Sequence, residues 1–124
     1  MSEFQEQKDL VAWFKAKYPA YVKCLRLSLN GINLPAGRRG AIMMSQCKSQ
    51  GLTPGESDLF FAIPNLIYHG LFIEMKAGKG KATQDQIDYL AVMDNLGYRT
   101  AVITGAEKAK QFIEDYMTTA VTIH

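Results

Sequence analysis

Glu74 and Lys76 stand one residue apart at the end of an apolar run, Leu71-Phe72-Ile73. Side chains alternate between the two faces of a strand, so this spacing sends both ionisable groups to one side and Met75 to the other. A carboxylate and an ammonium at the end of a buried strand need a reason to be there. A plain salt bridge or a solvated strand end is one; electrostatic work on a charged substrate is another. Asp58 favours the second. It opens the preceding apolar run, DLFFAI, directly after Gly55-Glu56-Ser57. If the two runs pair as a hairpin, Asp58 comes beside Glu74 near one end of the sheet. Two adjacent carboxylates repel each other unless a cation lies between them. Oxygen donors without His or Cys suit Mg²⁺ or Mn²⁺. Such an ion polarises a phosphate and generates hydroxide from water. Lys76 would then orient that water or neutralise charge developing on the phosphate.

The elements that must position these groups follow from the rest of the chain. A helix is predicted from about Ser2 to Tyr18: Ser2 and Gln5 fit a capping box, Leu10, Val11, Phe14 and Tyr18 recur at helical spacing, and Pro19 stops it. Tyr21 to Leu29 alternates like a strand and ends in the turn signal Asn30-Gly31, followed by a loop over 32–37. A second helix is predicted from Arg38 to Gln50, with Gly51 just past its end. Asp58–Ile63 and residues 66–76 read as paired strands around Pro64-Asn65, the second interrupted near His69-Gly70. After the glycine-containing loop AGKGKA come a helix from Thr83 to Leu96, a strand from Arg99 to Thr104 and a helix from Ala106 to Tyr116. The pattern implies an α/β fold, a mixed central sheet flanked by helices, partly antiparallel because the hairpin connection is short.

Length and composition set bounds on the reading. The chain has 124 residues, enough for one domain with one core, with 48% apolar and 21% charged residues. No apolar run approaches the roughly 20 residues needed to span a bilayer. The polar, acidic start MSEFQEQKDL does not read as a secretory signal. Cys24 and Cys47 form no CxxC or Cys/His cluster and read as reduced, buried residues of a cytoplasmic protein. Trp13 and the six methionines are expected in the core, and His69 in a structural turn. The net charge of +2 is small, so contact with a polyanion must come from local clusters such as Arg38-Arg39 and Lys76, Lys79 and Lys81. Arg38 and Arg39 either grip a phosphate backbone or cover a helix start. Lys79 and Lys81 either meet phosphate or simply solvate a loop. GKGKAT lacks the spacing of a P-loop.

Asp58 followed by Glu74-Met75-Lys76 on the next strand resembles the PD-(D/E)xK nucleases of the restriction-endonuclease-like superfamily. Within it the sequence is most similar to the VRR-NUC branch, found in bacteriophage and bacterial proteins and in a eukaryotic DNA-repair nuclease. The similar segments are SEFQEQ, Asn30-Gly31, the Arg38-Arg39 helix leading to KSQGLTPGESDLFF, GLFIEMKAGKGKATQDQ and LGYRTAVITG, from roughly Glu3 to Lys108. The GLFIEMK…GK…T-x-x-Q run is the most specific. Ser57 stands where the family usually has Pro; proline is not a ligand, so the metal chemistry is expected to survive, with a looser backbone approach to Asp58.

The resemblance implies a restriction-endonuclease-like core and a Mg²⁺ or Mn²⁺ site held by Asp58, Glu74 and the Met75 backbone carbonyl. It also implies an acidic ligand from the first helix. Glu3 fits the E-x-x-x-Q pattern best, with Glu6 the alternative; either also suits a helix N-terminus without any metal. Gln86 is implied as a catalytic or supporting residue, although Thr83-x-x-Gln86 is a capping box in its own right. Arg38, Arg39, Lys48, Lys79 and Lys81 are the expected DNA contacts. The activity implied is metal-dependent endodeoxyribonuclease on branched DNA such as Holliday junctions, carried out by a homodimer whose symmetry offers two sites. A flap, nick or end-processing nuclease and a catalytically idle DNA-binding module are the competing readings, and an adaptor role leaves Asp58, Glu74 and Lys76 unexplained.

Overall fold

The structure, a computed structural model, describes residues 1–28 and 35–122. Its elements are α1 (Glu3–Lys17), a 3₁₀ helix (Pro19–Cys24), β1 (Leu25–Leu27), α2 (Gly37–Ser49), β2 (Leu59–Phe61), β3 (Leu71–Lys76), α3 (Gln84–Asn95), β4 (Arg99–Thr104) and α4 (Ala106–Met117). The strands form one mixed sheet in the order β1-β2-β3-β4. β1 and β3 each run antiparallel to β2, and β4 runs parallel to β3. The parallel pair needs a long crossover, which α3 supplies. The expected α/β architecture, a mixed central sheet flanked by helices, is therefore the one observed.

β3 is the hub. It is buried along its whole length. Leu71, Ile73 and Met75 join Leu59, Phe61 and Ile103 on one face, against Leu10 and Phe14 of α1 and Ala106, Ala109, Ile113 and Tyr116 of α4. Burying each large apolar side chain contributes about 1.5–3 kcal/mol, so this layer carries most of the driving force. On the opposite face Phe60 stacks on Phe72 at 4.4 Å between centroids, and Tyr98 and Tyr89 meet Phe72 edge-on.

Helix ends follow the sequence cues. Ser2 and Gln5 cap α1 reciprocally, as Thr83 and Gln86 cap α3. The start of α4, at Gly105, has no side-chain cap of its own. Glu6 of α1 supplies one, accepting the Ala106 N–H through Oε2. Gly97 ends α3 at φ +97°, and a Cβ there would meet the His69 ring at 2.6 Å. His69 also donates its amide to the Gly97 carbonyl and packs on Tyr98, the structural role expected of it.

Several expectations need correction. Tyr21–Leu29 is not one strand: Pro19 nucleates a 3₁₀ helix that runs to Cys24, and only Leu25–Leu27 pairs with β2. Leu29, the Asn30-Gly31 turn and residues 32–34 of the loop lie outside the described residues. The strand over 66–76 starts only at Leu71. The Asn65 side chain accepts from the amides of Ile67 and Tyr68, which curls residues 65–68 into a turn and leaves Leu66 and Ile67 exposed. Asp58–Ile63 shortens to Leu59–Phe61. Cys24 and Cys47 are free but only half-buried. Of the methionines only Met75 is buried, and Trp13 is half-buried at the core margin.

Candidate active site

Sheet register assembles the site. Leu59 pairs with Ile73 and Phe60 with Phe72. One step further along the same antiparallel register, Asp58 faces Glu74, on the side of the sheet that carries the Phe60–Phe72 stack. The approach is tied from both edges. The Met75 amide donates to Asp58 Oδ2 at 2.9 Å, and the Ser28 amide donates to the Asp58 carbonyl at 2.9 Å. Within a strand a residue's carbonyl leaves on the same side as its amide, so the Met75 carbonyl also projects toward Asp58. Gly55, at φ +78°, lets the segment before Asp58 lie against α3; a Cβ there would meet the Asp85 carbonyl oxygen at 2.2 Å. Ser57 is buried, and its hydroxyl donates to the Leu59 carbonyl at 3.4 Å.

Glu74 is 1% exposed, Lys76 7% and Asp58 8%. Glu3 reaches the cluster from the first turn of α1 and stays open to solvent. Glu3, Asp58 and Glu74 each offer an oxygen, all within 4.8 Å of one another. Lys76 Nζ lies 3.5 Å from Glu74 Oε2 and 4.0 Å from Glu3 Oε1. One ammonium therefore pairs with two of the three carboxylates in the cluster. The second oxygen of Glu74, Oε1, is buried with no hydrogen-bond partner among the described residues. Burial, then the neighbouring Asp58 carboxylate, push the Glu74 carboxyl up to about 8; Lys76 pulls the other way without offsetting them.

An orphaned buried oxygen in an acidic cluster with surplus negative charge is an electrostatic demand for a cation. Hard oxygen donors in this number fit Mg²⁺ or Mn²⁺. Of the two first-helix candidates, Glu3 is the one at the cluster, because the Glu6 carboxylate is engaged by α4.

Comparison with known proteins gives a family and a fold. The VRR-NUC domain profile matches residues 1–107. The chain belongs to the VRR-NUC domain family. A solved structure described as a VRR_NUC domain protein superposes with a TM-score of 0.78 at 24% identity, covering 96% of this chain and 90% of that one. That likeness shows that the two chains share one fold over nearly their whole length. No curated protein matches the chain. A VRR-NUC domain is a nuclease domain.

The other expected site residues fall around this centre. Gln86 lies at the first turn of α3, and its side-chain oxygen accepts the Thr83 amide at 2.8 Å, so that atom is committed to the cap. Lys79 and Lys81 are exposed in the loop that leaves β3 directly after Lys76. Arg38, Arg39 and Lys48 are exposed on α2. Two basic residues that sequence reasoning did not single out line a cleft that also contains Ser57: Lys23, in the 3₁₀ helix, and Arg26, which pairs across β1 and β2 with Phe60. The alternation in LRL gave the only signal for Arg26, and it does not say which face of the sheet stays open.

Proposed function

We propose that this VRR-NUC protein is a Mg²⁺- or Mn²⁺-dependent endodeoxyribonuclease selective for branched DNA such as Holliday junctions. The observation that carries the reading is the convergence of Glu3, Asp58 and Glu74 around an unpartnered carboxylate oxygen, with Lys76 alongside. Glu3, Asp58, Glu74 and the Met75 carbonyl would hold the ion. A divalent ion held there would supply Lewis-acid polarisation of the scissile phosphate and lower the pKa of water enough to provide hydroxide at neutral pH. The Lys76 ammonium holds the attacking water in line and meets the charge that grows on the phosphate oxygens. Water gives up a proton to solvent as its oxygen forms the new P–O bond, one ester P–O bond breaks, and the departing sugar oxygen takes a proton from solvent. Gln86 acts as a positioning residue, fixing the loop after β3 to the start of α3.

Lys79 and Lys81 beside the site, and Arg38, Arg39 and Lys48 on α2, are assigned to phosphate contacts that hold DNA without reading its sequence. A domain of this size has little surface for reading a long sequence, which favours recognition of DNA shape by a homodimer with two sites. The outer side of α1 supports a self-association surface: Phe4 and Leu27 remain exposed beside Val11, along a groove of about 490 Å³. No helix among the described residues is long and apolar enough to cross a membrane. Two free thiols agree with work in the reducing cytoplasm of a bacterial or phage-infected cell.

The test is a cleavage panel of linear, nicked, flap and four-way DNA, with Mg²⁺, with Mn²⁺ and with chelator. Paired incision of four-way DNA only with metal is expected. Equal cutting of linear duplex by a monomer would replace junction resolution with general flap, nick or end processing by the same residues.

A further inference from the structure

Among the described residues, the sheet face that carries Glu74 is only partly covered. α3 reaches Phe72 through Tyr89, whose ring meets it edge-on at 5.8 Å. Toward β1 and β2 the face opens into a cleft of about 470 Å³. Phe60, Phe72 and Tyr89 line it with rings, Lys23 and Arg26 with positive charge, and Ser57 leads from it directly to Asp58. The Lys23 and Arg26 side chains make no hydrogen bond or ion pair among the described residues. Glu56 is the single carboxylate in the lining, and it accepts from the Thr53 amide at 3.2 Å. The cleft thus combines aromatic surface, two uncommitted cations and continuity with the acidic cluster.

We propose that this cleft receives one unpaired nucleotide of the strand being cut, next to the scissile phosphate. The base lies against Phe60 and Tyr89, its own phosphate is met by Arg26 and Lys23, and the neighbouring phosphate is thereby delivered to Glu74 and Lys76. The volume falls in the range of ordinary ligand pockets. Aromatic rings accept any base, because every base has a π-face, so the contact selects an unstacked nucleotide and not a sequence. A base stacked and paired within a duplex cannot enter. Incision is then favoured wherever a branch, flap or nick frees a nucleotide, a selection that each protomer makes in addition to the spacing of two sites set by the dimer. This inference rests on the nuclease reading and adds the form of DNA that the site accepts.

The experiment uses the intact protein with Mn²⁺ and a flap substrate whose incision position has been mapped. The nucleotide beside the scissile phosphate is then replaced by an abasic analogue that keeps the phosphates. Wild-type kcat/KM should fall about tenfold on the abasic strand, the loss of one base–aromatic contact. Arg26→Ala, a surface change, should slow cleavage of intact and abasic strands alike, whereas Phe60→Leu and Tyr89→Leu should shrink the difference between them. Equal or faster cleavage of the abasic strand by the wild type overturns the proposal and leaves the nuclease standing. So does a preference for the intact strand that survives unchanged in both ring variants. A wild-type protein that cuts no DNA with either metal overturns the nuclease reading itself, and this inference with it.

Discussion

Alternate residues of β3 do opposite work. Leu71, Ile73 and Met75 enter the hydrophobic layer formed with α1 and α4. Phe72, Glu74 and Lys76 point the other way, and along that side the surroundings change within two residues from an aromatic stack to an ion cluster. The first set gains free energy by leaving water. The second includes a carboxylate whose burial costs free energy, expressed as a carboxyl pushed up to about 8. A single strand therefore carries both the stability of the fold and a local instability that a metal ion would relieve. Its central position, between β2 and β4, gives both sets a rigid frame.

That contrast predicts which substitutions uncouple activity from folding. Glu74→Gln and Lys76→Ala should each abolish cleavage, by at least the roughly 10²–10³-fold that follows from losing one preorganised electrostatic group. Both proteins should remain folded by circular dichroism. Near-normal turnover of either folded variant would remove these residues from the chemistry.

The neighbouring position should behave in the reverse way. Ile73→Ala truncates a fully buried side chain and should cost about 2–5 kcal/mol in denaturant unfolding. Cleavage per folded molecule should change far less than in Glu74→Gln. If Ile73→Ala loses activity while keeping its stability, the two sets of β3 residues are not separate in function.

The pH dependence sharpens the comparison further. In metal-free protein the Glu74 carboxyl holds its proton up to about 8, above its ordinary value of 4.5. The folded state thus binds the proton more tightly than the unfolded chain. The resulting stabilisation is complete below about pH 4.5 and is lost as pH rises toward and through 8. Melting temperatures in chelator should fall across that window, and Glu74→Gln should flatten its contribution to the slope. Mn²⁺ competes with the same proton, so its stabilising effect should grow with pH. A Glu74→Gln protein with an unchanged slope would place the titrating group elsewhere.

The smallest effect belongs to the loop after β3. Neutralising Lys79 and Lys81 together should weaken binding to all DNA shapes. Each lost phosphate contact should lower the slope of log K against log salt by roughly one. The preference for branched over linear DNA should remain, and a changed preference would make this loop a determinant of shape.

Local signals made much of this architecture legible. The capping residues Ser2 and Thr83 mark the starts of α1 and α3, and the apolar strand Arg99–Thr104 has the bounds its pattern suggests. The Asp58–Glu74 juxtaposition was readable because it needs only a hairpin and a two-residue period. What escaped depends on contacts between distant segments or on one side chain's local choice. Pro19 restarts helical turns where alternation suggested a strand, and Asn65 bends a segment whose composition reads as extended. Glu6 serves as the cap of a helix a hundred residues away, which no local pattern announces. The cleft bounded by Arg26 and Phe60 exists only because β1 pairs with β2 in one register and α3 covers part of the face.

The proposed divalent-metal site consists of Glu3, Asp58 and Glu74. Titrating Mn²⁺ into purified protein at pH 8, with free ion followed by electron paramagnetic resonance, tests it directly. Wild-type protein should remove the free-Mn²⁺ signal saturably, and folded Glu74→Gln should do so at least tenfold more weakly. Equal Mn²⁺ uptake by the two proteins would contradict it.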